Sequence, residues 1–194
     1  YKFSFPRTDL NVMINNIKIE PGFALTSWIA FLPMKYNTMI MGDLVLLDSE
    51  IGNVIKELTE NDINITALHN HIINESPSIM YMHFKASGNA ADLAKKMKDV
   101  IALTKTPLEK KENAVREKEI KPDWRGVEKI WGKEGNKKSN LISFGFQRKE
   151  TILENEHPLP KTFGVHTAII FQMVNDKAIV TGDYVMTADE VNNV

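Results

Sequence analysis

The sequence predicts an α+β fold: a strand-strand-helix-strand-strand-helix module present twice, with antiparallel sheets, helices on one face, and an incomplete second copy. Three observations predict it. Apolar runs of strand length are separated by turn residues, as in Phe23–Phe31 and Thr38–Leu47. Amphipathic stripes at helical spacing follow the second and fourth of these runs. The pattern of the first half then returns about 140 positions later.

In chain order, residues 3–14 read as one strand with Pro6 near its start, closed by a turn at Asn15-Asn16. Pro21-Gly22 introduces the strand F-A-L-T-S-W-I-A-F, and a Tyr36-Asn37 turn leads back through T-M-I-M-G-D-L-V-L-L as a hairpin. Asp48 and Ser49 are the N-cap candidates of a first helix, whose Ile51, Val54, Ile55 and Leu58 form one apolar stripe ending by Asn61-Asp62. Residues 63–73 and 79–86 form a second hairpin around Asn74–Ser78. Ser87 to Asn89 then cap a second helix with Leu93, Met97, Val100 and Ile101 inward. This first repeat occupies residues 1–105.

Residues 106–122 turn to Lys and Glu and read as a charged linker, with Thr106-Pro107-Leu108-Glu109 matching a capping box. The second repeat occupies 123–194. It opens on a short helix with Asp123 as N-cap, Trp124, Val127 and Trp131 inward, and Gly132 or Gly135 as its stop. Phe5, Arg7 and Asp9 return as Phe146, Arg148 and Glu150. Phe23 through Val54 match Phe163 through Val194 at a constant offset of 140, pairing Gly42-Asp43 with Gly182-Asp183 and Glu50 with Glu190. On this register the second copy breaks off inside its first helix, before its own histidine hairpin.

Composition narrows the function. The 194 residues carry a net charge of −1, which argues against a nucleic-acid binder working through a broad cationic face. The chain has no cysteine, which excludes disulfides, thiolate metal sites and cysteine nucleophiles. No apolar run reaches the length of a transmembrane helix. No signal peptide is read at Tyr1, whose F-S-F-P-R continuation looks like mid-strand and suggests a trimmed start. Nucleotide-binding loops and the H-E-x-x-H zinc motif are absent.

Chemistry concentrates in T-A-L-H-N-H-I-I-N-E-S-P-S-I-M-Y-M-H-F, residues 66–84, which holds three of the five histidines. On a strand His69 and His71 share a face. A turn at Asn74–Ser78 would pair Ile73 with Ile79 and set His69 directly opposite His83, so that three imidazoles converge. Glu75 adds an H-x-H-x3-E spacing, although it falls in the expected turn. Such a set suits zinc first, then other divalent transition metals, and not calcium. The competing reading is a hairpin whose histidines are only hydrogen-bonded, in a non-enzymatic structural or binding module. The letters H-N-H do not make a nuclease finger, whose residues spread over a longer strand-strand-helix unit.

Further candidates are Asp43, as a metal ligand or an orienting group for a histidine; Arg7, paired with Asp9 or binding an anion; and His166, which stands where the first copy has Thr26. Met39, Met41, Met80 and Met82 read as core filling.

The strings F-P-R-T-D-L, F-A-L-T-S-W-I-A-F, M-G-D-L-V-L, T-A-L-H-N-H, P-S-I-M-Y-M-H and T-G-D-Y-V-M-T-A-D-E-V-N resemble the LppY/LpqO family, bacterial proteins of unknown function that include predicted lipoproteins. The resemblance spans nearly the whole chain except the charged linker. It implies a two-copy architecture, a second copy that continues into its own histidine hairpin, and an extracytoplasmic, secreted or lipid-anchored location. Partners are then expected among small molecules or envelope components. The family supplies no reaction, so the histidines stand on their own chemistry.

Overall fold

The structure, a computed structural model, describes residues 1–108 and 122–194. Most of the expected linker, including Glu109 of its capping box, lies outside these residues. The chain divides into two compact units, Tyr1–Ala114 and Val115–Val194. The α+β class is observed: helices and antiparallel sheets in both units.

The first unit contains β1 (Lys2–Pro6), β2 (Met13–Ile14), β3 (Ile17–Lys18), β4 (Thr26–Pro33), β5 (Thr38–Leu47), α1 (Asp48–Glu60), β6 (Asn64–His69), β7 (Glu75–Ser76), β8 (Ile79–Gly88) and α2 (Ala90–Ala102). Its main sheet runs in the order β1-β4-β5-β8-β6, and β3-β2-β7 form a small second sheet. Side chains alternate across the strands. Ile40, Leu44 and Leu46 of β5 and Met82, Phe84 and Ala86 of β8 therefore pack against Val54 and Leu58 of α1 and Leu93, Met97, Val100 and Ile101 of α2. Burying each large member of this set contributes about 1.5–3 kcal/mol. The alternate residues, Asp43 among them, project from the opposite face.

The single strand expected over residues 3–14 is broken. Pro6 ends β1, and the chain leaves the sheet because Arg7 turns inward: its N–H donates to the Leu25 carbonyl at 2.9 Å, and its side chain is fully buried. The strand expected from Phe23 begins at Thr26. The N-cap of α1 is also corrected. Leu47 occupies that position, and the Glu50 carboxylate, reaching back one turn, accepts from the Leu47 N–H at 2.9 Å in place of a side chain from Asp48 or Ser49. Of the expected stripe, Val54 and Leu58 are buried and Ile51 packs against the core, while Ile55 lies at the solvent edge. Asn89 caps α2 as expected, its Oδ1 accepting from the N–H groups of Ala91 and Asp92.

Gly42 is fixed by contact. A Cβ there would stand 2.3 Å from the Trp28 carbonyl oxygen and 2.4 Å from the Phe84 ring. Only glycine lets β4, β5 and the Phe84 ring approach this closely.

The second unit contains α3 (Arg125–Trp131), β9 (Asn136–Lys138), β10 (Leu141–Gln147), β11 (Leu153–Glu154), β12 (His157–Pro158), β13 (His166–Val174) and β14 (Lys177–Asp183). Four of these form the sheet β14-β13-β10-β9. Trp124, Val127 and Trp131 face Ile142, Phe144, Phe146, Phe171 and Met173, and Gly132 ends α3 in the left-handed conformation at φ 63°. The pairing registers follow those of the first unit. Phe5 opposes Ser27 and Phe146 opposes Thr167; Phe31 opposes Ile40 and Phe171 opposes Val180.

Candidate metal centre

The face of the main sheet away from the helices carries a row that crosses all five strands: Ser4, Trp28, Asp43, His83 and Ala67 are successive pairing partners. Tyr81 and Lys85 flank His83 on the same face of β8, because alternate residues of a strand point the same way.

His69 does not oppose His83. It pairs with Tyr81, and Ala67 takes the place opposite His83, after an irregularity between Ile65 and Ala67 that leaves Thr66 over. The expected register is therefore wrong by two positions. The expectation ran the strand to Ile73 and counted back from the turn, whereas β6 ends at His69 and residues 70–74 leave the sheet. An even shift keeps the side chain on its face, so the convergence survives the error.

The three imidazoles meet. His69 Nε2 lies 3.1 Å from His83 Nε2, a hydrogen bond in which one ring donates and the other accepts. His71, two residues past the end of the strand, is held by ring stacking: its centroid is 3.9 Å from that of Tyr81 at an interplanar angle of 17°, and 4.9 Å from that of His69. One ring nitrogen from each of His69, His71 and His83 lies within 4.8 Å of the others, and all three residues are partly buried. Ligand nitrogens about 2.1 Å from a tetrahedral metal are separated by about 3.4 Å, a spacing close enough to this one that the three histidines form a group that could hold one ion.

Asp43 borders the group. Its Oδ2 is 3.5 Å from His83 Nε2 and 4.0 Å from His71 Nε2. The residue is 5% exposed, and its Oδ1 is buried without a hydrogen-bond partner among the described residues. Burial of a carboxylate oxygen in that condition is costly unless something donates to it. On the other side of Asp43, the Lys2 ammonium sits 3.8 Å from the centroid of the Trp28 ring. Desolvation lowers the pKa of Lys2, and the negative charge of Asp43 works against that shift.

Glu75 stands outside the imidazole group. It belongs to β7, where it pairs with Ile14, and its Oε1 accepts from the Ile79 N–H at 3.0 Å, closing the loop between β6 and β8. Arg7 is saturated by its own chain and offers nothing to a foreign anion. Its Nε and Nη2 donate to Asp9, Nη1 and Nη2 to Glu50, and Nη1 to the Val45 carbonyl at 2.7 Å. Burial opposes its charge, but hydrogen bonds to Asp9 and Glu50 outweigh burial and raise its pKa. His166 belongs to the second unit, at the start of β13 opposite Gln147, with its ring against Gly145.

Tyr81, Trp28 and Lys2 are site residues that the sequence reading did not single out. The Y-M-H spacing of Tyr81 and His83 could have disclosed Tyr81. Trp28 and Lys2 become visible only through cross-strand register, which no local pattern carries.

The chain matches the model of a family described as a domain of unknown function, DUF1259, over residues 1–103 and 125–194. It belongs to this family. No curated protein matches the chain, and no solved structure does. The DUF1259 match enters both units, and both contain one polar network. Arg148 binds Glu150, Glu190 and the Val185 carbonyl as Arg7 binds Asp9, Glu50 and the Val45 carbonyl. Glu190 accepts from the Thr187 N–H as Glu50 does from Leu47, and the Thr167 hydroxyl accepts from Val185 N–H as that of Ser27 does from Val45. In this DUF1259 chain the arginine network is therefore framework common to the two units. The imidazole group is a feature of the first.

Proposed function

We propose that the chain is a metal-dependent small-ligand binding protein whose centre is His69, His71 and His83 on one face of the first unit. The observation that carries this reading is the approach of three imidazole nitrogens within 4.8 Å of one another beside a buried carboxylate. Three neutral imidazoles favour a divalent transition ion, zinc first. Three protein ligands leave a coordination position for a small molecule or for water, and water activated there is the chemistry of metal-dependent hydrolysis. The likeness to the LppY/LpqO strings supports an extracytoplasmic setting, in which the ligand or partner is a small molecule or an envelope component. The shared registers and arginine networks of the two units support descent from one duplicated module.

A second reading has its own observation. The hydrogen bond of 3.1 Å between His69 Nε2 and His83 Nε2 gives one nitrogen of each ring a partner without a metal, as a purely structural or binding module requires. Calorimetric titration of zinc into chelator-treated protein separates the two. The metal reading expects one equivalent bound, with binding lost in His69→Ala and in His83→Ala. Absence of binding in the wild-type protein leaves the structural reading.

A further inference from the structure

Resting on the metal reading, the ligand class follows from what surrounds the histidines. Next to the row Trp28-Asp43-His83 runs a second row on the same face, in which Lys2, Ala30, Met41, Lys85 and Asn64 are successive pairing partners. Two lysines therefore lie on one side of the centre, separated by a small and an unbranched apolar residue. Lys2 is drawn toward the centre, with its ammonium over the Trp28 ring next to Asp43. A divalent ion and the Lys2 ammonium, on either side of the Asp43 carboxylate, set positive charge along this face. A bound molecule of opposite charge is attracted there and fixed by charge-assisted hydrogen bonds. The buried Asp43 Oδ1, with no hydrogen-bond partner among the described residues, asks instead for a donor.

We propose that the centre binds a small hydroxylated oxyanion, such as a hydroxycarboxylate. Its anionic group is received by Lys2 on the Trp28 side, and its hydroxyl donates to Asp43 beside the histidine-held metal. A carboxylate and a hydroxyl on neighbouring carbons match, in that order, the donor Lys2 and the acceptor Asp43 on one sheet face. Neither group alone uses both.

The test is calorimetric binding of glycolate, acetate and ethylene glycol to zinc-loaded protein, with zinc content measured on each sample. Glycolate carries both groups, acetate only the anion and ethylene glycol only hydroxyls. Glycolate is expected to bind at least tenfold more tightly than acetate, and ethylene glycol not measurably. Lys2→Met should weaken both acids about tenfold at unchanged zinc content, and Lys2→Arg should restore them. Asp43→Asn should erase the preference for glycolate over acetate. Lys2 is an exposed residue of an edge strand, so its variants should fold. Equal binding of glycolate and acetate, or unchanged affinities in Lys2→Met, would overturn the proposal and leave the metal centre standing. A wild-type protein that takes up no zinc would overturn the centre and the proposal together.

Discussion

Asp43 and His83 are direct partners on β5 and β8, and Asp43 Oδ2 approaches His83 Nε2 to 3.5 Å. This pair joins the framework to the site. Asp43 follows Gly42, whose missing side chain lets β4 and β5 close up. Its own side chain is turned to the face where the histidines gather.

Gly42→Ala should therefore damage both stability and site. The added Cβ meets backbone, the Trp28 carbonyl, as well as the Phe84 ring, and backbone cannot swing away. Overpacking of this kind costs about 1–3 kcal/mol, and the upper end is expected here. Urea unfolding of the variant beside the wild type measures it, and an unchanged midpoint would contradict the packing account.

Arg7→Met removes the one cation between Asp9 and Glu50 and leaves Glu50 buried without its partner. Breaking a buried pair from one side costs about 3–5 kcal/mol. The matching Arg148→Met change in the second unit should cost less, because Glu150 and Glu190 can reach water. Equilibrium unfolding of the two variants gives the order directly.

Acid should weaken the second unit in a defined window. Hydrogen bonds from Arg148 and the Thr187 N–H lower the pKa of Glu190 from 4.5 to about 2. A carboxylate depressed in the folded state contributes stability that is fully present above its unfolded value and is lost as pH falls toward its folded one. The window is thus from about 4.5 down to about 2. Arg148 lies 42 positions from Glu190, so the contact depends on folding. Glu190→Gln should flatten the fall in urea midpoint between pH 5 and pH 3, and an undiminished fall would exclude Glu190 as a source.

Metal should stabilise the first unit by mass action. At a free zinc concentration one hundred times Kd the gain is about 2.7 kcal/mol. Thermal unfolding with zinc and with excess chelator should show a raised Tm in the wild type, and no difference in His83→Ala.

The sequence made the elements legible because their signals are local. The stripes of α1 and α2, the Asn89 cap, the Gly132 stop and the alternation of β5 and β8 are all written within a few residues. The histidine convergence was also legible, since i, i+2 spacing on a strand fixes a face whatever the register. What failed depended on distant partners. The leftover Thr66 and the end of β6 at His69 set the true register, and the pairing of Glu75 with Ile14 drew that carboxylate away from the histidines. Arg7 looked like a member of a long strand because its burial depends on Glu50, 43 positions away. Lys2 and Trp28 reach the site only through sheet order.

The central claim is that His69, His71 and His83 hold a metal. Elemental mass spectrometry on protein purified without a histidine tag, beside a His69→Ala, His71→Ala double variant, tests it most directly. The account predicts close to one transition-metal ion per wild-type chain, with zinc first, and almost none in the double variant. A wild-type protein that stays metal-free after incubation with excess zinc would contradict it.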